Sequence, residues 1–179
     1  MVATISNEIV GLLVAEMRPT SQCNIEDSGI LSPTMINDSR LVYILTLGVV
    51  SKYRRKGIAS ILINKLIENV QSNPILEDCR AIYLHVLTTN TSAIRFYRKL
   101  HFICHKLLSD YYLINNSTCD GYLYVLYLNG GRPSKNLYVY CLEFFSFARS
   151  LFGTIFSPLL TFIYRRLGPD KHKGNIYTL

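Results

Sequence analysis

Residues 41–59 read LVYILTLGVVSKYRRKGIA, and the change of pattern inside this stretch decides the fold. Residues 41–50 are β-branched and aromatic with no helical period, which predicts a buried strand. From Ile58 the apolar residues recur at helical spacing (Ile58, Ile61, Leu62, Leu66, Ile67, Val70), with Asn64, Lys65, Glu68 and Asn69 between them, and Pro74 ends the pattern. Between strand and helix lies Arg54-Arg55-Lys56-Gly57-Ile58-Ala59. A glycine at a helix entrance lets the backbone approach an anion closely, and the first free N–H groups and the positive dipole end can then receive a phosphate. Taken alone, this basic stretch is a weak signal and reads more readily as an ordinary solvated turn.

Working outward, residues 2–5 and 9–17 flank Ser6-Asn7 and predict two strands joined by a tight turn. Residues 18–40 hold Pro, Ser, Asn and Asp without periodicity and read as a long loop. Residues 81–87 (AIYLHVL) predict another strand, followed by a short helix from Ala93 to Leu100 capped by Ser92. Residues 102–114 and 122–128 bracket NNSTCDG as an antiparallel pair, and Asn129-Gly130-Gly131-Arg132-Pro133 marks a domain boundary. Strand–helix–strand crossovers mixed with hairpins imply an α/β domain with a mixed sheet.

Composition narrows the class. The 179 residues suffice for one core, and only 17% are charged, which excludes a disordered chain. The net charge of +7 is uneven: residues 1–131 carry 12 Lys/Arg against 10 Asp/Glu, residues 132–179 carry 7 against 2. The basic excess therefore sits beside the most apolar stretch, which suits an anionic membrane surface better than nucleic acid. The five cysteines are scattered without CxxC spacing and no His stands at a metal-ligand offset, so reduced thiols and no metal are expected.

The 54–59 motif resembles the R/Q-x-x-G-x-G/A pattern of GNAT acetyltransferases, and Asn90-Thr91-Ser92-Ala93-Ile94-Arg95-Phe96-Tyr97 resembles their second signature, N-x-x-A-I-x-F-Y. YILTLGVVSKYRRKGIAS (43–60), AIYLHVLTTNTSAIRFYRK (81–99) and YVLYLNGGRP (124–133) are similar to N-terminal acetyltransferases of the Golgi-associated NatF type. The resemblance implies a GNAT fold, with a mixed, mostly antiparallel sheet flanked by helices, over residues 1–133, followed by C-terminal amphipathic helices in a 134–179 tail. It also implies that the catalytic domain is N-terminally incomplete, since members of that family carry a strand and two helices ahead of the opening hairpin. His101 stands where such proteins usually place a helix-closing glycine.

The same resemblance implies transfer of acetyl from acetyl-CoA to the α-amino group of protein N-termini that begin with Met followed by a hydrophobic residue or Lys. Tyr43 and His85 would act through an ordered water. Leu47, Gly48 and Val49 would bind the pantetheine arm, and Arg55, Lys56, Gly57, Ile58, Ala59 and Ser60 the pyrophosphate. Asn90, Tyr97, Arg98, Lys99 and Leu100 would also contact the coenzyme, while Leu45 and Tyr112 would line the peptide entry. Read without that family, Tyr43 and His85 are ordinary core residues, and Tyr111 and Tyr112 are aromatic packing on a hairpin. A lysine or small-amine acetyltransferase (a histone acetyltransferase included) and a catalytically impaired coenzyme-binding short form are the alternatives. The resemblance further implies protein N-terminal peptides as partners, room for a homodimer, no nucleic acid and no metal.

Residues 137–164 form a long apolar run followed by Arg165-Arg166. It admits a transmembrane helix, two amphipathic helices lying on a membrane, or a helix packed on the core. Interruptions at Glu143, Arg149, Gly153 and Pro158 favour the interfacial pair. The resemblance places such a tail peripherally on the cytosolic face of the Golgi membrane.

Overall fold

A computed structural model describes residues 1–37 and 39–134. The expectation for the 134–179 tail falls outside these, save Ser134. Among the described residues no helix is long and apolar enough to cross a membrane.

The chain runs β1 (Val2–Ile5), β2 (Glu8–Pro19), β3 (Arg40–Val49), α1 (Ile58–Ser72), β4 (Cys79–Leu87), α2 (Thr91–Lys99), β5 (Ile103–Ile114) and β6 (Ser117–Tyr127). One six-stranded sheet has the order β1-β2-β3-β4-β6-β5, with β3 and β4 parallel and every other pair antiparallel. This is the expected mixed, mostly antiparallel sheet. Two-residue hairpins close where consecutive residues adopt positive φ, at Ser6-Asn7 (49° and 66°) and at Asn115-Asn116 (50° and 61°), as tight right-twisting turns require.

Both faces of the central strands are covered, so β4 is apolar almost throughout. Alternate residues go to opposite cores. Val42, Ile44, Ile82, Leu84, Val86 and Tyr124 pack with Leu62, Ile63, Leu66 and Val70 of α1 and Tyr97 of α2. Leu41, Ala81, Tyr83, Leu123 and Val125 form the second core with Ile30 and Leu31. The 18–40 segment is thus more than the loop its composition predicts. It contains three single 3-10 turns (Thr20–Gln22, Ile25–Asp27, Pro33–Met35) and contributes core residues to the second face.

Three local expectations need correction. Ile61 is 59% exposed and the core position belongs to Ile63, at 0%; the unbroken apolar run 61–63 left the helical phase ambiguous. Helix α2 begins at Thr91, and its cap is Asn90, whose Oδ1 accepts the Ala93 N–H at 3.1 Å, not Ser92. Residues 117–121, expected within a turn, are already strand β6.

Asn129-Gly130-Gly131 ties the end of β6 to the start of β4. Leu128 N–H donates to the Arg80 carbonyl at 2.9 Å and Asn129 Nδ2 to the Cys79 carbonyl at 3.0 Å. A Cβ on Gly131 would lie 2.0 Å from the Arg80 carbonyl oxygen, so only glycine fits. The next residue, Arg132, accepts the Ser32 N–H at 3.0 Å, which anchors the 20–35 segment over the second face.

The sheet opens in the middle. The parallel β3–β4 ladder runs from Arg40–Cys79 to Tyr43–Tyr83 and stops there. Beyond that point β3 stays with β2 as far as the Gly11–Val49 pair, and β4 stays with β6 through His85–Leu123 and Leu87–Gly121. A register shift at Val14/Ala15 in the β2–β3 ladder accompanies the parting. A wedge thus opens between Ile44–Val49 and Leu84–Leu87.

Candidate active site

Two chemically distinct features border this wedge. The first is the entrance to α1. Gly57 occupies the N-cap position with φ 81°, and no side chain caps the helix. A Cβ at Gly57 would meet nothing within 4 Å, so the space before the helix terminus is open. Arg55 also has a positive φ of 63°. Arg54 Nε donates to the Val49 carbonyl at 2.9 Å, and the Lys52 and Lys56 ammonium groups stand 4.9 and 5.4 Å from the Tyr53 ring centroid. Uncapped N–H groups, a positive dipole end and nearby cations fit a phosphate. Ile58, Ala59 and Ser60 form the first turn of this helix.

The second feature lies where the ladder ends, on the face covered by the 20–35 segment. His85 Nδ1 is 3.1 Å from the Tyr43 hydroxyl and 2.9 Å from the Tyr111 hydroxyl. On the other side of the ring, His85 Nε2 is 2.9 Å from Asp27 Oδ1; the two side chains are 3% and 1% exposed. That approach lies off hydrogen-bond alignment and is a close contact of the carboxylate with the ring nitrogen, because neither atom finds an aligned partner among the described protein atoms. The Tyr83 hydroxyl donates to Asp27 Oδ2 at 3.1 Å. A carboxylate facing Nε2 favours the tautomer with its hydrogen there, which leaves Nδ1 as the acceptor for a phenol.

Burial raises the Tyr43 phenol above its ordinary pKa, and it raises Tyr83 and Tyr111 further, helped by the nearby Asp27 charge. All three are therefore neutral at physiological pH and act as hydroxyl donors or relays. The Arg18 guanidinium sits 5.2 Å from the Tyr43 ring centroid.

The remaining predicted positions divide by environment. Leu47, Gly48 and Val49 lie on the parted stretch of β3, whose ladder toward β4 has ended. Leu45 is 47% exposed there. Tyr112 packs edge-on against Tyr111, with ring centroids 4.9 Å apart. Asn90 uses Oδ1 to cap α2, which leaves its amide hydrogens for another acceptor. Tyr97 is a core residue, its phenol pushed up to about 12 by burial. Arg98 Nε donates to the Tyr124 hydroxyl at 3.0 Å, Lys99 is exposed, and Leu100 packs against the first core. Sequence reasoning missed Asp27 and Tyr83 altogether, and it gave Tyr111 no role beside His85. Among the described residues no group of three or more His, Cys, Asp and Glu is placed to hold a metal ion.

A glycine-led helix entrance beside a wedge between two parallel strands is the architecture of an acyl-transfer fold. Residues 1–102 match the profile of the acetyltransferase (GNAT) family, and the chain belongs to that family. It is similar to N-alpha-acetyltransferase 60 of Xenopus tropicalis, 45% identical over 133 residues covering 74% of this chain and 54% of that protein. The chain thus spans about half the length of the curated relatives it matches. Its fold resembles that of Arabidopsis thaliana NAA60 in complex with acetyl-CoA, with 40% identity and a TM-score of 0.60, covering 70% of this chain and 69% of that one. The same protein in complex with a bisubstrate analogue matches with a TM-score of 0.60 and 40% identity, over 70% and 68%.

Proposed function

We propose that this chain transfers acetyl from acetyl-CoA to the α-amino group of protein N-termini. The observation that carries the reading is the Tyr43–His85–Asp27 set, assembled where the β3–β4 ladder ends and beside an uncapped helix entrance. The NAA60 complexes with acetyl-CoA and with a bisubstrate analogue support the same chemistry by similarity.

Acetyl-CoA, when bound, supplies the activated acetyl group. Gly57 to Ser60 would hold its pyrophosphate, and the parted backbone of Leu47 to Val49 its pantetheine arm. The chain's own task is then to take a proton from the attacking amine. An α-amino group has a pKa near 8 and lysine about 10.4, so supplying the neutral amine at pH 7 costs roughly 1 kcal/mol for the former and 4–5 kcal/mol for the latter. A modest base suits the α-amine. Tyr43, a neutral phenol, can accept the proton on oxygen while passing its own to His85 Nδ1, and Asp27 stabilises the imidazolium so formed. The C–S bond breaks as the C–N bond forms, and coenzyme A leaves as its thiolate, which takes up a proton from this relay or from water.

The peptide would enter past Leu45 and Tyr112, and termini of Met followed by a hydrophobic residue or Lys are the substrates this reading favours. The apolar and basic 134–179 tail would hold the enzyme peripherally on the cytosolic face of the Golgi membrane; its charge and its interrupted apolar run support that placement.

The test is to incubate the chain with acetyl-CoA and matched Met-Lys peptides, one with a free and one with a blocked α-amine, and to locate the acetyl group by mass spectrometry. Acetylation of the free α-amine alone is expected. Acetylation of lysine in the blocked peptide, or coenzyme binding with no acetylated peptide, overturns the reading.

A further inference from the structure

The Tyr111 hydroxyl reaches His85 because of an irregularity in the β5–β6 hairpin. The ladder is in register at Leu108–Gly121 and again at Tyr112–Cys119. Ser109, Asp110 and Tyr111 therefore stand opposite Asp120 alone, and β5 bulges. Asp110 sits at the crest in the left-handed region, φ 54°, and its N–H donates to Asp120 Oδ1 at 3.0 Å. The bulge carries the Tyr111 ring over the sheet to 4.4 Å from the His85 ring, between centroids.

The ring comes to rest on Gly121. A Cβ there would stand 3.2 Å from Tyr111 Cδ1, 3.4 Å from Tyr111 Cβ and 3.1 Å from Tyr112 Cε2. Gly121 is not among the glycines with positive φ, so its backbone accepts any L-residue. A Cβ would instead press on the two tyrosines, which must give by a few tenths of an ångström to admit it.

We infer that Asp120 and Gly121 are positioning residues for acetyl transfer: Asp120 pins the bulge and Gly121 seats the ring, and together they hold the Tyr111 hydroxyl on His85 Nδ1. This rests on the proposed function, in which His85 is the proton acceptor. Tyr111 and Tyr43 share one ring nitrogen, and a neutral imidazole has a single lone pair there. That lone pair accepts one hydroxyl at a time. Tyr111 holds the ring at rest through this bond and its 4.4 Å ring contact and yields the nitrogen when Tyr43 passes its proton, so a small displacement of the seat is transmitted to the reacting geometry.

The experiment is a double-mutant cycle in kcat, read beside the ¹⁵N resonances of the His85 ring. Gly121→Ala and Tyr111→Phe are each expected to lower kcat about tenfold with the KM for acetyl-CoA unchanged. In the Tyr111→Phe background, which keeps the ring and hence the clash, Gly121→Ala should lower kcat by no more than about twofold further. Asp120→Ala should behave like Gly121→Ala, while Asp120→Asn, which keeps an acceptor oxygen, should restore kcat. Equal losses from Gly121→Ala in both backgrounds would assign it a purely structural role and overturn the inference. Should the parent chain acetylate no peptide, the proposed function fails by itself and the resonances still decide. Gly121→Ala and Tyr111→Phe must then shift His85 Nδ1 in the same direction, and an unmoved His85 signal in Gly121→Ala overturns the inference.

Discussion

Asp27 and His85 meet across the sheet face with Asp27 Oδ1 2.9 Å from His85 Nε2, both side chains almost wholly buried. The carboxylate also accepts the Tyr83 hydroxyl. Asp27→Ala would take the carboxylate acceptor from the buried Tyr83 hydroxyl, at a cost of about 1–3 kcal/mol, and remove the carboxylate beside the imidazole. Asp27→Asn keeps an acceptor but removes the charge opposite a His85 that must become positive. Asp27→Asn is expected to lower kcat at least about tenfold with a near-parental melting temperature, and Asp27→Ala to lower both. Steady-state kinetics and thermal unfolding on the two variants check this.

Gly57 holds φ 81° at the mouth of α1 with open space before it. Gly57→Val is strained there, because the left-handed region costs a residue with a Cβ about 1–2 kcal/mol, and it fills the space a pyrophosphate would use. Coenzyme A affinity measured by calorimetry should fall at least about tenfold. Unaltered affinity would remove the phosphate-site reading.

Helix α2 ends in a Schellman motif. Phe102 N–H donates to the Tyr97 carbonyl at 3.1 Å and His101 N–H to the Arg98 carbonyl at 3.1 Å, while the Phe102 ring packs on Tyr97. His101 takes the left-handed position with φ 65°. His101→Gly relieves that strain and is expected to stabilise the chain by about 1 kcal/mol, raising Tm by roughly 2–4 °C, without changing activity. Calorimetric melting of the two proteins is the measurement.

Burial holds the phenols of Tyr97 and Tyr127 up at about 12. In the unfolded chain they ionise near 10. Between those values the folded state keeps protons that the unfolded state has lost, so stability is complete below pH 10 and falls as pH rises toward 12. Chemical denaturation at stepped pH should show this decline, and Tyr97→Phe should flatten it.

How much of this was legible in the sequence depends on whether a residue obeys a local rule. The strands and helices follow period and turn chemistry, and Arg54–Ala59 marks the helix entrance because glycine and basic residues stand out between two patterns. Tyr43 and His85 are visible as polar-tipped residues inside apolar strands, although only the family resemblance gives them a role. Asp27 has no such mark: an aspartate among Ser, Asn and Glu looks like any turn residue, and its burial depends on the fold placing Ile30 and Leu31 against the second face. Those two are adjacent and fit neither a helical nor a strand period, so the 18–40 segment reads as surface loop. Asp120-Gly121 misleads in the opposite sense. The pair is a strong turn signal, yet it sits inside β6, where glycine makes room for two tyrosines.

The central claim is that Tyr43 and His85 move the amine's proton, and turnover on a free N-terminal peptide tests it most directly when paired with acetyl-CoA affinity on the same preparation. Tyr43→Phe and His85→Ala should each reduce kcat by about ten- to a thousandfold while acetyl-CoA affinity stays at the parental value. Parental turnover in both variants would contradict the assignment, as would a loss of turnover matched by an equal loss of coenzyme affinity.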